Sequence, residues 1–394
     1  MKLACIIAEY HPFHNAHARM TDRLHAMGYD TVAAVMSGNA VQRGVPALLP
    51  KEIRAQAALR CGMDLVLELP CRAAAAGARD FAGAGVQIAA AVGADALAFG
   101  AECADPDRLE AVCTALTSPQ LPALLRQKLA DGAPFYAARA AAAEALCPGA
   151  AALLQQPNNI LATEYLCALR RLQQADPTRP LLRPVILPRT GAAHDGQPQD
   201  GIASAGWLRT QPVEAWQPYV PADAFELYRA AFTDGQVLDT DRWECAVLAL
   251  LRTRTGEQLA TLPDVSEGLD ALLAEAIRTE STLEGIYAAV KSKRYTHARI
   301  RRLVLAAALG WTAEGADVPY LRVLGATEHG RAALGRITDT SALPVSSSLA
   351  GLQRLGGDCA AAALREAALG DLYSLCLRHP GPCGREYTLP FFKG

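Results

Sequence analysis

No stretch of about 20 uncharged apolar residues occurs anywhere in these 394 residues, so no segment reads as a bilayer-spanning helix. The nearest approach, the alanine-rich run 73–92, is interrupted by Arg79 and Asp80. An excess of one charge is also missing: 38 Lys and Arg stand against 40 Asp and Glu. Net charge therefore says nothing about nucleic acid, and only its distribution can. The cysteines number eleven, an odd count, and include no CxxC pair, which argues against a disulfide framework. Scattered through apolar runs, they fit reduced thiols packed as small hydrophobes in a cytoplasmic protein. The start, Met1–Ala8, lacks the pattern of a signal peptide and reads as a strand. Repeats and low-complexity tracts are absent as well.

What is present is a long, well-packed chain. Hydrophobic residues make up 51% and charged residues 20%, and the length exceeds what one core usually holds, which predicts two or three domains. Short apolar runs alternate with helical patterns through the first hundred residues, the signature of a parallel sheet covered by helices. Strands are predicted at Leu3–Ala8, Thr31–Met36, Leu65–Leu69, Ala96–Phe99 and Pro184–Leu187. Helices are predicted at Asn15–Ala26, ending at Gly28, at Lys51–Cys61, and as one long buried helix over Ala73–Val92. From about Pro221 onward helical periodicity dominates, with no convincing strand ladder. The expected architecture is α/β: a Rossmann-like parallel-sheet domain over 1–215, followed by a mainly α-helical domain over 216–394.

Two histidines three residues apart, His14 and His17, stand where the first strand turns into a helix. Ligands in parallel sheets sit at strand carboxyl ends, and a helix N-terminus there attracts anions. Both imidazoles share a helix face and can donate to phosphate oxygens, and a cation there would offset charge developing on a leaving pyrophosphate. A zinc site would need further ligands; Cys5 lies in the strand and His25 is too far along the helix, so no metal site is read here.

The string Glu9-Tyr10-His11-Pro12-Phe13-His14-Asn15-Ala16-His17 resembles the signature of the HIGH-type nucleotidyltransferases, within the longer E-Y-N-P-F-H-N-G-H string of the tRNA(Met) cytidine acetate ligases. His11 stands in place of an asparagine, and Ala16 in place of a glycine that lets a nucleotide approach the backbone. The added methyl predicts weaker or shifted ATP binding. The resemblance continues through Ser37-Gly38 with Gln42-Arg43-Gly44, Leu65–Pro70, Gly100, Pro157-Asn158-Asn159-Ile160-Leu161 and Pro188-Arg189 with His194-Asp195. It reaches Ile202–Arg209, where Gly206 replaces a threonine. Asparagine caps helices well, so of Asn158 and Asn159 one is expected to cap while the other reaches the ligand. Lys51 and Arg54 read equally as solvated helix charges or as ligand contacts.

Residues 285–313 hold Lys291, Lys293, Arg294, Arg299, Arg301 and Arg302 with no acidic residue among them, and Tyr295 and His297 interleave. That is the makings of a phosphate-contacting patch with a stacking aromatic. The string Lys291–Leu303 also resembles the acetate ligases, as do Tyr320–Gly325 and Asp371–Ser374.

The resemblance implies an ATP-dependent ligase that forms acetyl-adenylate from acetate and ATP. It then acetylates N4 of the wobble cytidine of elongator tRNA(Met). It implies His14 and His17 as catalytic, and ATP contacts from Ile7, Ala8, Glu9, Tyr10, His11, Pro12, Phe13, Asn15, Ala16, Met20, Gly100, Asn158, Asn159, Arg189, Ser204 and Arg209. It implies tRNA contacts from Lys291, Lys293, Arg294, Tyr295, Arg299 and Arg302, and Mg2+ accompanying ATP. Two alternatives stand beside it: an adenylyltransferase acting on a small phosphorylated acceptor, and a tRNA-binding homologue weakened in catalysis through His11, Ala16 and Gly206.

Overall fold

Strand β1 (Leu3–Ala8) has no polar residue to mark a solvent face, and it lies in the middle of the sheet. Parallel neighbours β2 (Thr31–Ser37) and β6 (Ala96–Ala101) flank it. Beyond them β5 (Leu65–Leu69) pairs parallel with β2, and β7 (Arg183–Pro188) parallel with β6. Strand order therefore reverses between β1 and β6, and in such sheets a ligand crevice opens past the carboxyl ends at that switch. Between β2 and β5 a small antiparallel hairpin, β3 (Ala40–Val41) with β4 (Val45–Pro46), stands apart from the sheet. The structure is a computed structural model and describes residues 1–103, 105–189, 197–266, 268–292, 295–313 and 318–394.

Alternation along the strands builds two cores. Leu3, Cys5, Ile7, Val35 and Leu67 face one side with the helices Ala78–Ala91 and Pro157–Ala175. Ala4, Ile6, Val32, Met36 and Val66 face the other, with helix Lys51–Arg60 and helix Ala222–Thr233. A third core is all-helical and joins Trp243, Leu273, Ile286 and Val304 to Leu369 and Tyr373 of helix Gly357–Leu375. The α/β architecture with a mainly helical C-terminal region is as the sequence predicts. No helix among the described residues is long and apolar enough to cross a membrane.

Two expectations are corrected. The run 73–92 is not one helix: it is divided into Cys71–Ala74 and Ala78–Ala91, with Gly77 preceding the second as its extended N-cap. Nor is the chain after residue 221 free of sheet. Strand β8 (Leu321–Ala326) pairs antiparallel with β5, and β9 (Val345–Ser346) and β10 (Phe392–Lys393) pair parallel with β8. All six residues of β8 are buried, so it lacks the polar alternation by which a strand announces itself.

Arg322 on β8 meets Glu68 on β5 (2.8 Å) and Glu386 of the short helix Arg385–Thr388 (2.6 Å). Lys51 reaches the same two carboxylates, at 2.5 and 2.6 Å. Lys51 is thus neither a solvated charge nor a ligand contact, being 1% exposed and paired within the protein. The far end of the chain is thereby tied into the N-terminal sheet by charge as well as by strand pairing.

Candidate active site

The turn from β1 into helix Asn15–Ala26 sets both signature histidines. His14 is the N-cap: its Nδ1 accepts the Ala16 N–H at 3.2 Å, while its own N–H donates to His17 Nδ1 at 3.1 Å. The rings stack with centroids 3.8 Å apart. A backbone N–H can only donate, so in both rings Nδ1 is the acceptor and a neutral ring carries its proton on Nε2. Burial, then the charge of Arg189, pulls His14 down to about 3; burial, His14 and Arg189 hold His17 well below the ordinary value. In the free protein the positive charge beside the signature therefore belongs to Arg189, and the histidines are neutral Nε2–H donors rather than cations.

A pH dependence follows. In the unfolded chain His14 titrates near its ordinary 6.5, and in the folded chain only near 3. Between those values the unfolded state binds more protons, so stability from the neutral ring is complete above about pH 6.5 and is lost as pH falls towards 3. The thermal midpoint should drop between pH 6.5 and 4 in wild type and drop less steeply in His14→Asn, compared in parallel melts; equal slopes would contradict it.

Three separate segments meet beside the histidines. An added Cβ on Gly100, on β6, would lie 3.3 Å from Arg189 Cγ and 3.6 Å from Met20 Cε, so the arginine stem and Met20 cover the glycine face. Glu102, which sequence reasoning gave no role, accepts the Asn158 and Asn159 N–H groups (3.3 and 2.8 Å) and Asn158 Nδ2 (2.5 Å). This corrects the expectation that an asparagine caps the helix Pro157–Ala175: the Glu102 carboxylate covers its first amides. Asn159 instead accepts the Cys103 N–H (2.8 Å) and is 2% exposed, while Asn158 is only half-buried. His194 and Asp195 lie outside the described residues.

The signature loop is braced from behind. Arg54, 0% exposed, donates through Nη1 to Glu9 O (2.6 Å) and Ser37 O (3.0 Å), through Nη2 to Gly38 O, and through Nε to Leu49 O (2.9 Å). It joins the ends of β1 and β2 and is neither solvated nor placed to meet a ligand. A buried cation must find partners, but nothing in its local spacing reveals that. His11 accepts the Leu48 N–H through Nε2 at 2.8 Å; burial, then Arg209 and Arg54, keeps it well below its ordinary pKa. Ile7 and Phe13 are buried in the two sheet cores, and Tyr10 packs edge-on against His17 with its backbone at φ +46. Ser204 caps the helix Ala205–Arg209 by accepting the Trp207 N–H at 3.1 Å, and Arg209 donates to His11 O at 2.6 Å. Asn15 Nδ2 donates to Gly201 O and Pro218 O, closing this segment over the helix start.

The basic region is less bare in space than in sequence. Arg299 pairs with Asp264 (3.1 Å) and lies 5.0 Å from the Tyr295 ring centroid, and Arg301 approaches Glu284 (3.8 Å). Lys291 Nζ donates to Ser292 O and Tyr295 O. Arg302, on helix His297–Leu309, donates to Gln42 O at 3.3 Å. Lys293 and Arg294 lie outside the described residues.

Comparison with known proteins gives consistent results. The family model described as HIGH Nucleotidyl Transferase matches residues 1–380. The tRNA(Met) cytidine acetate ligase of Syntrophotalea carbinolica is 36% identical over 368 residues, covering 89% of this chain and 85% of that protein. The protein of the same name from Acetivibrio thermocellus is 30% identical, covering 98% of this chain and 99% of its own. The crystal structure of Thermotoga maritima TmcAL, apo form I, superposes with a TM-score of 0.88 at 27% identity over the whole of both chains. A second form of that protein, bound with alpha-thio ATP, gives 0.87 at 27% identity, again over both whole chains.

Proposed function

The chain belongs to the tRNA(Met) cytidine acetate ligase family of HIGH nucleotidyl transferases, and from that premise we propose that it activates acetate with ATP and acetylates the wobble cytidine of elongator tRNA(Met). An acetate oxygen attacks the α-phosphorus of ATP, forming acetyl-adenylate as the bond to pyrophosphate breaks. The cytidine N4 then attacks the acetyl carbon, the bond to AMP breaks, and N4-acetylcytidine is left after N4 gives up a proton. Magnesium accompanying ATP would supply charge neutralisation of the triphosphate.

The observation that carries the reading is the pair of neutral, stacked histidines, each with Nδ1 engaged by a backbone N–H, at the sheet's switch point beside Arg189. Preorganised Nε2–H donors suit phosphate oxygens whose charge grows as pyrophosphate leaves, and they need no reorganisation to act. Arg189 and Arg209 are assigned to the phosphates, with Gly100, Met20 and Asn158 lining the nucleotide. Residues 1–215 are the proposed ATP-binding part and 216–394 the tRNA-binding part, working in the cytoplasm. For tRNA the assigned contacts are Lys291, Lys293, Arg294, Tyr295 and Arg299.

The test is incubation with ATP, acetate and tRNA(Met), followed by mass spectrometry of wobble nucleosides and measurement of pyrophosphate. Acetate-dependent pyrophosphate release with N4-acetylcytidine is the expected result. Release triggered only by a phosphorylated metabolite would identify an adenylyltransferase, and salt-dependent tRNA binding without acetylcytidine a tRNA-binding homologue. On the same assay Ala16→Gly should tighten ATP binding by roughly 2–5-fold, because it removes the methyl beside the signature backbone. An unchanged calorimetric affinity would show that the methyl does not intrude.

A further inference from the structure

The β3–β4 hairpin is held from two sides, and only one of them belongs to the signature loop. On that side the His11 ring accepts the Leu48 N–H (2.8 Å) at the hairpin base, and Glu9 Oε1 accepts the Gln42 N–H (2.8 Å) near its tip. On the other side the hairpin lies against helix His297–Leu309. Arg302 Nη1 donates to Gln42 O, and a Cβ on Gly44 would stand 2.4 Å from Arg302 N and 2.7 Å from Arg301 C. Gly44 sits at φ +73, so both its backbone conformation and its clearance call for glycine. The two sides meet at a single peptide-bearing residue, since Gln42 is bonded to Glu9 through its N–H and to Arg302 through its carbonyl.

We infer that Arg302 is a positioning residue for the nucleotide site, acting through Gln42 and the hairpin on Glu9 and the signature loop, and not a tRNA phosphate contact. The inference rests on the proposed acetate-activating function and reassigns one member of its basic region. A guanidinium that turns inward to a loop carbonyl is directed by geometry, whereas a phosphate contact needs only a reachable charge. Arg302 is partly buried against this loop, while Lys291 remains exposed. Arg302 therefore bears on the first half-reaction, which needs no tRNA, and does so from the helical region of the chain.

The two roles separate experimentally. Arg302→Met, Arg302→Lys and Gly44→Ala are compared with wild type in acetate-dependent ATP–pyrophosphate exchange without tRNA, in calorimetric ATP binding, and in tRNA(Met) binding over a range of salt. Melting curves confirm that each variant is folded. All three variants should raise the KM for ATP by roughly 3–10-fold, the size expected for one hydrogen bond lost from a positioned loop. The salt slope of tRNA binding should stay at the wild-type value. Lysine does not rescue, because its chain is one bond shorter and leaves the ammonium short of the Gln42 carbonyl that Arg302 Nη1 reaches at 3.3 Å. An unchanged KM for ATP in Arg302→Met and Gly44→Ala would overturn the inference. So would tRNA affinity lost in Arg302→Met, with a salt slope lower by about one, and restored in Arg302→Lys. If wild type shows no acetate-dependent exchange, the acetate reading fails while calorimetric ATP binding still decides the role of Arg302: a 3–10-fold weaker affinity supports it, an unchanged one overturns it.

Discussion

His14→Asn should lower the rate of acetate-dependent ATP–pyrophosphate exchange by about 10²–10³-fold, the usual cost of removing one preorganised donor from developing negative charge. Asparagine is a good N-cap, so its side chain can still accept the Ala16 N–H that His14 Nδ1 now accepts. The helix start is thereby kept, and the loss falls on the Nε2–H that a ring extends beyond the cap and a short amide does not. The stacked partner His17 keeps its Nδ1 bond to the residue 14 N–H, so its own donor remains oriented. tRNA affinity should be unchanged, since the proposed contacts lie on helix His297–Leu309 and the segment before it. The exchange assay with matched tRNA binding measures both. A fall in kcat of less than threefold, in a folded variant that binds ATP, would remove His14 from the catalytic group.

The second large effect concerns stability. Arg322→Met should destabilise the chain by about 3–5 kcal/mol, because it leaves buried carboxylates facing one cation where two stood. Arg322 is 0% exposed, and Glu68 and Glu386 are 2% and 5% exposed. Burial works against the charge on Arg322, and the two carboxylates more than offset it, so its pKa ends above the ordinary value. Glu366 lies in the same surroundings, pushed up to about 7 by burial and then by Glu68. Lys51 alone would face Glu68 and Glu386 in the variant. Denaturant unfolding at pH 7 measures the loss, and a cycle with Glu386→Gln should show coupling of roughly 0.5–3 kcal/mol. Additive changes would mean that the two side chains act independently. The consequence reaches the site, because a Cβ on Gly38 would lie 2.6 Å from Glu68 Oε1, so the loop after β2 rests directly on this cluster.

Much of the first two hundred residues was legible. β1 and β5 have their predicted bounds, Leu3–Ala8 and Leu65–Leu69, because each is a short apolar run between polar or turn residues. Helix Asn15–Ala26 also has its predicted bounds, with Gly28 at φ +87 just past its end. β8 was not legible as a strand, for its residues are buried on both faces and carry no period. Glu102 stands just past the predicted strand Ala96–Phe99, but the helix whose first amides it accepts begins 55 residues later, at Pro157. Local spacing carries no information about a partner that distant.

The strand–turn–helix position of the histidines, the family signature and the order of the main-sheet strands through β7 were determined by the sequence alone, because each depends on neighbours within a few residues. Only the tertiary structure decided that Arg189 covers Gly100, that Lys51 and Arg54 are interior cations, and that Asp264 and Glu284 answer the arginines of the basic run. It also decided that Arg302 faces the β3–β4 hairpin. The physical reason is common to all of these. A side chain's charge state and partners follow from which surfaces are buried together, and burial between separate elements leaves no period in the chain.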